Sequence, residues 1–288
     1  MSRGHWIRIA LAAFVALAAP ALAQERVLYD QPSQFNHIVV TERDDGLRTL
    51  RFARGGARQS AVRVADPDHL ELRYSQVVLV GLALCREQRR FLVVGLGGGA
   101  LPTFLHRQYP KAAVDAVDID PAVVEVARRY FGFRDDALLN AYARDGREFI
   151  ESTRAPYDAI FLDAFGTDSV PPQLTTVEFL RAVRRAVKPD GVVVGNLWGP
   201  GLNPLYGPMI RTYQEVFEEV YVIDVVGTGN KILLALPRAE PLAREELAAR
   251  ARSVSATRQF RFDLGAFVEQ GFSHHRDKSA AERLLRDP

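Results

Sequence analysis

Phe91-Leu-Val-Val-Gly95-Leu-Gly97-Gly98-Gly99-Ala100-Leu101 is the stretch whose reading decides the fold. Four apolar residues running straight into glycines predict a buried strand over Phe91–Val94 that turns at once into a helix over Leu101–Gln108. Glycines at such a junction let a ligand approach the backbone, and the helix N-terminus offers free N–H groups. Gly95-x-Gly97-x-x-Ala100 also satisfies the dinucleotide fingerprint with its permitted final Ala, a weak match on its own.

Downstream, strands and helices alternate. Ala113–Val117 reads as a strand, and Pro121–Tyr130 as a helix opened by proline. Asp145–Ser152 reads as a helix and Tyr157–Leu162 as a strand. Thr175-Thr176-Val177-Glu178 resembles a capping signal for a helix that runs to Val187 and stops at Lys188-Pro189-Asp190-Gly191. Val192–Leu197 is expected as a strand and Pro204–Phe217 as a helix. Tyr221–Val226 and Lys231–Leu236 flank Gly227-Thr228-Gly229-Asn230 as a hairpin. Repeated βα units predict an α/β fold, a parallel sheet covered by helices, with one antiparallel strand at its end.

Upstream, residues 26–64 predict a small antiparallel β unit. Its strands run over Phe35–Glu42, Leu47–Ala53 and Gln59–Val64, with turns at Asp44-Asp45-Gly46 and Gly55-Gly56. Between it and the glycine stretch, the apolar spacing over His69–Leu84 suits a helix. Residues 1–23 predict a cleaved signal peptide: Arg3 and Arg8, an apolar run from Ile9 to Ala19, and the small-x-small site Ala21-Leu22-Ala23. Export, to the periplasm, is the expectation, with the cytoplasm as the alternative if the start is mis-assigned. The expected organisation is therefore a leader over 1–23, a β unit over 24–68, a cofactor-binding domain over 69–237 and a charged, partly helical tail over 238–288.

Composition narrows the function. The 288 residues are 48% apolar and 25% charged, with 37 Lys+Arg against 35 Asp+Glu. Removing the leader takes away two Arg and no acid, which leaves the signs balanced. Such a chain does not hold nucleic acid by bulk charge, and no membrane partner is expected after cleavage. Cys85 is the single cysteine, so an intrachain disulfide and a Cys-based zinc site are excluded. His274-His275 are adjacent in the tail, an arrangement that seldom ligates one metal, and no metal is expected.

Three acids give the glycine stretch its meaning. Asp118 ends the next strand, 21 residues past Gly97, where a carboxylate can accept both hydrogens of a ribose diol. Asp145, before Gly146, can take the amino group of an adenine; a helix cap is its other reading. Asp163 ends the strand Tyr157–Leu162. Carboxylates on three successive strand ends suit a compact adenosyl cofactor better than an extended dinucleotide.

These residues resemble the polyamine aminopropyltransferases, the spermidine synthases, over about residues 33–237. Gly95–Gly99 is similar to that family's glycine loop, Asp118-Ile119-Asp120 to its ribose signature, and Asp145-Gly146 to its adenine contact. The resemblance implies a Rossmann-like S-adenosylmethionine-dependent transferase fold preceded by the N-terminal β unit. It implies that Gly95, Gly97, Gly98, Gly99, Asp118, Ile119, Asp145 and Gly146 bind the cofactor, with Gln59 and Tyr74 near its aminopropyl end. Asp163 falls on the position of the catalytic Asp. Asp168 would hold a distal ammonium and Tyr206 would wall the pocket. The implied co-substrate is decarboxylated S-adenosylmethionine, or S-adenosylmethionine itself, and the partner a small-molecule amine, with a homodimer possible in the family. Gly98 stands where the family loop has Asp, Tyr74-Ser75-Gln76 where it has Tyr-His-Glu, and the loop from Asp163 to Asp168 is two residues longer than usual. A divergent branch is expected. A methyltransferase and a non-catalytic nucleoside-binding protein on the same fold are the alternatives.

Overall fold

The computed structural model describes residues 25–166, 169–278 and 281–288. The expected leader and Asp168 lie outside the described residues.

Strands β1 (Glu25–Pro32), β2 (His37–Arg43), β3 (Leu47–Arg51) and β4 (Arg58–Arg63) pair in that order as an antiparallel sheet. Alternation puts Ile38, Val40 and Leu50 on the buried face. The turn at Asp44-Asp45-Gly46 forms because Gly46 takes φ +78° and the Asp45 carboxylate accepts the Leu47 N–H. β1 adds a fourth strand to the three whose limits the alternation had outlined.

The predicted helix over 69–84 divides. Only α1 (Arg73–Val77) is α-helical, and Val78–Leu84 tightens into 3₁₀ turns. Val77, Val78 and Val80 are β-branched, which weakens an α-helix. Gly81 lies so close to the central sheet that a Cβ there would stand 2.4 Å from Val194 Cγ2.

The second unit alternates as expected: β5 (Arg90–Val94), α2 (Ala100–Gln108), β6 (Ala113–Asp118), α3 (Pro121–Tyr130), β7 (Leu139–Ala143), α4 (Gly146–Glu151), β8 (Tyr157–Leu162), α5 (Val177–Ala186), β9 (Val187–Trp198) and α6 (Tyr206–Val216). The chain then forms β10 (Glu219–Asp224), β11 (Asn230–Leu236), α7 (Arg244–Arg258), α8 (Leu264–Gly271) and β12 (Phe272–His274). The eight strands lie in the order β12-β10-β11-β9-β8-β5-β6-β7. Pairings from β9 through β7 are parallel, and those from β9 to β12 antiparallel. Thr176 caps α5 by accepting the Phe179 N–H at 3.2 Å. Residues 188–191, expected as a stop, belong to β9: they bulge opposite Asp158, whose carboxylate binds Lys188 Nζ at 2.6 Å.

The tail departs from expectation. Leu247, Ala248, Ala251, Leu264, Phe267 and Val268 are buried in the same core as β5 and β6. β12 pairs with β10, so two reversed strands, not one, close the sheet. The polar surface of α7 had hidden a buried stripe. None of the described helices is long and apolar enough to cross a membrane.

Strand order sets the location of a ligand. The chain winds from β5 to β6 and β7 on one side and returns to β8 on the other. The carboxyl ends around β5 therefore face a crevice, the usual binding position in an open parallel sheet. The four-stranded sheet is docked there: Ser33 Oγ donates to Asp120 Oδ2 at 2.5 Å, Asn36 Nδ2 reaches the same oxygen at 3.4 Å, and Arg48 bonds the Tyr130 carbonyl.

Candidate active site

One cleft at these strand ends is lined by Gly95, Leu96 and Gly97 after β5, Asp118 and Ile119 after β6, Asp145 and Gly146 at the head of α4, and Asp163 after β8. The N-terminal unit adds Asn36, Phe52, Gln59 and Ser60, and α1 with its approach adds Leu72, Tyr74 and Ser75. Each sequence-derived cofactor residue other than Gly98 and Gly99 is thus brought to one place.

The glycine loop is shaped by close approaches. Gly95 takes φ +100°, and a Cβ there would stand 2.4 Å from the Asp163 carbonyl oxygen, so the absence of a side chain lets the two loops cross. Gly98 and Gly99 were expected to bind cofactor, but neither lines the cleft. Cβ atoms there would meet Phe131 Cδ1 at 2.8 Å and Phe133 Cδ2 at 2.5 Å. They serve packing of the loop against the chain that follows α3.

Asp118 secures that loop as well as facing the cleft. Its Oδ2 accepts the Leu96 N–H at 2.9 Å and its Oδ1 the Asp120 N–H at 3.0 Å. Each oxygen keeps a further lone pair, enough for a diol. Burial raises its pKa, and the backbone donors oppose that rise. Asp145 meets its cap reading and also lines the cleft. It caps α4 through Oδ1, which accepts from Arg147 N at 2.7 Å and Glu148 N at 3.2 Å. Oδ2 takes no bond among the described residues. These features fit a nucleoside: a diol acceptor, a free carboxylate oxygen for an amino group, and a backbone without Cβ atoms between them.

Asp163 lies farther along. Tyr74 Oη donates to its Oδ2 at 3.2 Å and Asn196 Nδ2 to its Oδ1 at 2.8 Å. Its surface is partly accessible from the cleft, yet protein atoms enclose the carboxyl group. Burial pushes its pKa up to about 7, against the lowering effect of the Asn196 and Tyr74 bonds. Burial, and then the charge of Asp163, push the Tyr74 phenol well above its ordinary value, so it remains a donor. Phe165 and Gln173 complete this end of the cleft, and Phe165 packs edge-on against Trp198.

Tyr206 is not brought to the cleft. It is the first residue of α6, half-buried against an apolar cluster with Leu205, Leu284 and Leu285. The resemblance implies a pocket wall at Tyr206, but its place on α6 makes it packing. Ser75 and Gln76 bond the Leu72 and Leu70 carbonyls at 2.6 and 2.7 Å and so anchor α1. Asn196 was missed: a lone polar residue inside the run Val192–Leu197 was the available signal, since a buried amide must find partners. Among the described residues lining the cleft there is no Lys, Arg or His, while three are Asp. The cleft is suited to a ligand of positive charge.

A model of the spermine/spermidine synthase domain matches residues 71–203. The chain is 33% identical over 223 residues to a polyamine aminopropyltransferase of Vibrio vulnificus, across 75% of this chain and 74% of that one. A crystal structure of a probable spermidine synthase from Corynebacterium glutamicum superposes with a TM-score of 0.73, at 19% identity, over 90% of this chain and 96% of that chain. Human methyltransferase-like protein 13, solved with SAH, superposes with a TM-score of 0.58, at 30% identity, over 73% and 97% of the respective chains. With a relative this similar across three quarters of both lengths, the protein belongs to the spermine/spermidine synthase family and is a transferase.

Proposed function

We propose that the protein moves an aminopropyl group from decarboxylated S-adenosylmethionine to a small amine, with Asp163 as the general base. The observation that carries this reading is a carboxylate poised near neutrality in a cleft whose described lining holds no cation. S-Adenosylmethionine brings a carboxylate that would find no cationic partner there, and an unpaired buried charge is costly. The decarboxylated donor carries only positive charge.

Asp118 would hold the ribose diol, and Asp145 Oδ2 the adenine amino group. The bound donor supplies an electrophilic carbon beside a sulfonium that leaves as a neutral thioether. Asp163 takes the proton that the acceptor nitrogen releases as it bonds that carbon and the carbon–sulfur electron pair returns to sulfur. A free alkylammonium has a pKa of about 10.4. Entry into an enclosed cleft lowers it toward that of Asp163, so the two groups can exchange a proton. Tyr74 keeps the carboxylate turned toward the acceptor. Alignment of the two substrates supplies most of the acceleration.

Methyl transfer from S-adenosylmethionine is the second reading. It is favoured by the 30% identity to the human methyltransferase-like protein and by Gly98 and Gln76 standing where the aminopropyltransferase pattern has acids. Thermal unfolding with each donor separates the two. Decarboxylated S-adenosylmethionine should raise the Tm more than S-adenosylmethionine does at equal concentration. The reverse order supports methyl transfer.

A further inference from the structure

Two adjacent strands carry a pair of buried amides that leads into Asp163, which follows a third. Asn196 on β9 is 4% exposed and Asn230 on β11 is 8% exposed. In the β9–β11 ladder Asn196 stands opposite Ile232, and Asn230 opposite Trp198, two positions along. The two amides share one face of the sheet and meet diagonally. Asn230 Nδ2 donates to Asn196 Oδ1 at 2.9 Å, and Asn196 Nδ2 donates to Asp163 Oδ1 at 2.8 Å. Asn230 is itself anchored, its N–H bonding Thr228 Oγ1 at 3.2 Å.

The direction of the pair matters. An amide can present either its NH₂ or its oxygen. With its oxygen taken by Asn230, Asn196 can offer only NH₂ to the carboxylate. A reversed Asn196 would set a carbonyl oxygen against Asp163, an arrangement that suits only the protonated acid. We propose that Asn196, locked by Asn230, is a positioning residue for Asp163: it fixes the carboxyl plane and favours the ionised form that accepts a proton. The inference rests on the reading of Asp163 as base.

Other groups around Asp163 bear on its titration. Tyr74 reaches it from α1 and remains a neutral phenol. Asp118 and Asp145 face the same cleft from the ends of β6 and the head of α4. The backbone of Gly95 crosses it from the glycine loop. Asp168, five positions along the sequence, lies outside the described residues, and an Asp168→Asn background sets any contribution of it apart.

The test is a direct titration of the Asp163 carboxyl in the ligand-free protein by carbon-13 NMR, with Asp163→Asn identifying the signal. A hydrogen bond to a charged group corresponds to roughly one to two pH units, so Asn196→Leu should move the midpoint up by that amount. Asn230→Leu, remote from the cleft, should move it in the same direction by less. Methylthioadenosine affinity reports that each variant is folded. If Asn196→Leu does not fold, Asn230→Leu decides alone. An unmoved midpoint in Asn196→Leu overturns the positioning role, and an unmoved midpoint in Asn230→Leu overturns the lock. Because the readout needs no turnover, shifted midpoints in an enzyme that uses no amine would sink the proposed reaction and leave only the coupling of Asn196 to Asp163 standing.

Discussion

A carboxyl group enclosed by protein and served by two donors is held between its protonation states near neutrality, and Asp163 is that group here. Asp163→Asn keeps the shape and removes the proton acceptor. Turnover should fall by about 10²–10⁴-fold, while methylthioadenosine affinity, which the proposed reading assigns to Asp118 and Asp145, stays unchanged in calorimetry. The same residue gives a stability signature. Its pKa is raised from 3.8 to about 7, so between those values the folded protein keeps a proton that the unfolded chain has released. Its contribution to stability is therefore full at low pH, falls as pH rises through this window, and is level above it. The stability difference between the parent and Asp163→Asn should decline with slope of up to about 1.4 kcal/mol per pH unit. Urea titrations across that range measure it, and a rising difference would contradict the burial argument. On the family's pattern, in which Asp168 would hold a distal ammonium, Asp168→Asn should instead raise the KM for the amine more than it lowers kcat, since such a contact is made before and during reaction. Asp118 and Asp163 were legible because each ends a predicted strand, and Asp145 because it opens a predicted helix. Asn196 was not: its partners come from strands distant in sequence, and nothing local distinguishes it from a buried amide of no consequence.

At the scale of elements, the glycine loop and the loop after β8 support one another. Gly95→Ala forces a Cβ toward the Asp163 carbonyl at a positive φ, and should cost more than about 1 kcal/mol in denaturant unfolding. Gly98→Asp restores the family's usual residue, yet the new side chain starts 2.8 Å from Phe131 Cδ1 and 2.9 Å from Ser60 Oγ. It should lower the Tm and should not raise activity; a gain in amine affinity would show that the loop can shift to receive an acid. Asp118→Ala loses the anchor of Leu96 and Asp120 and, on the proposed reading, the diol acceptor, so methylthioadenosine binding should vanish in calorimetry. Strand and helix positions around this loop could be read from periodicity and capping residues. The split of the predicted helix over 69–84 could not, because the approach of Gly81 to Val194 is a tertiary contact.

The whole molecule is held by contacts that sequence order conceals. The Asp120 carboxylate joins the N-terminal sheet to the domain that follows, which is how Gln59 and Ser60 come to roof the cleft. The tail packs into the same core as that sheet, Leu247 and Leu264 joining Ile38 and Leu50. Leu264 is fully buried, and Leu264→Ala should cost about 2–5 kcal/mol. A smaller loss would mean that the tail packs less tightly than its burial implies. Charged residues are frequent in this region, and only the spacing of Leu247, Ala251, Leu264 and Val268 against the sheet turns it into core. Turnover of purified protein, followed by mass spectrometry with each sulfonium donor and a panel of diamines and polyamines, tests the central claim most directly. The account predicts methylthioadenosine and an aminopropylated amine from decarboxylated S-adenosylmethionine, with both products suppressed in Asp163→Asn. Methyl transfer from S-adenosylmethionine, with no aminopropylated product from any amine, would contradict it.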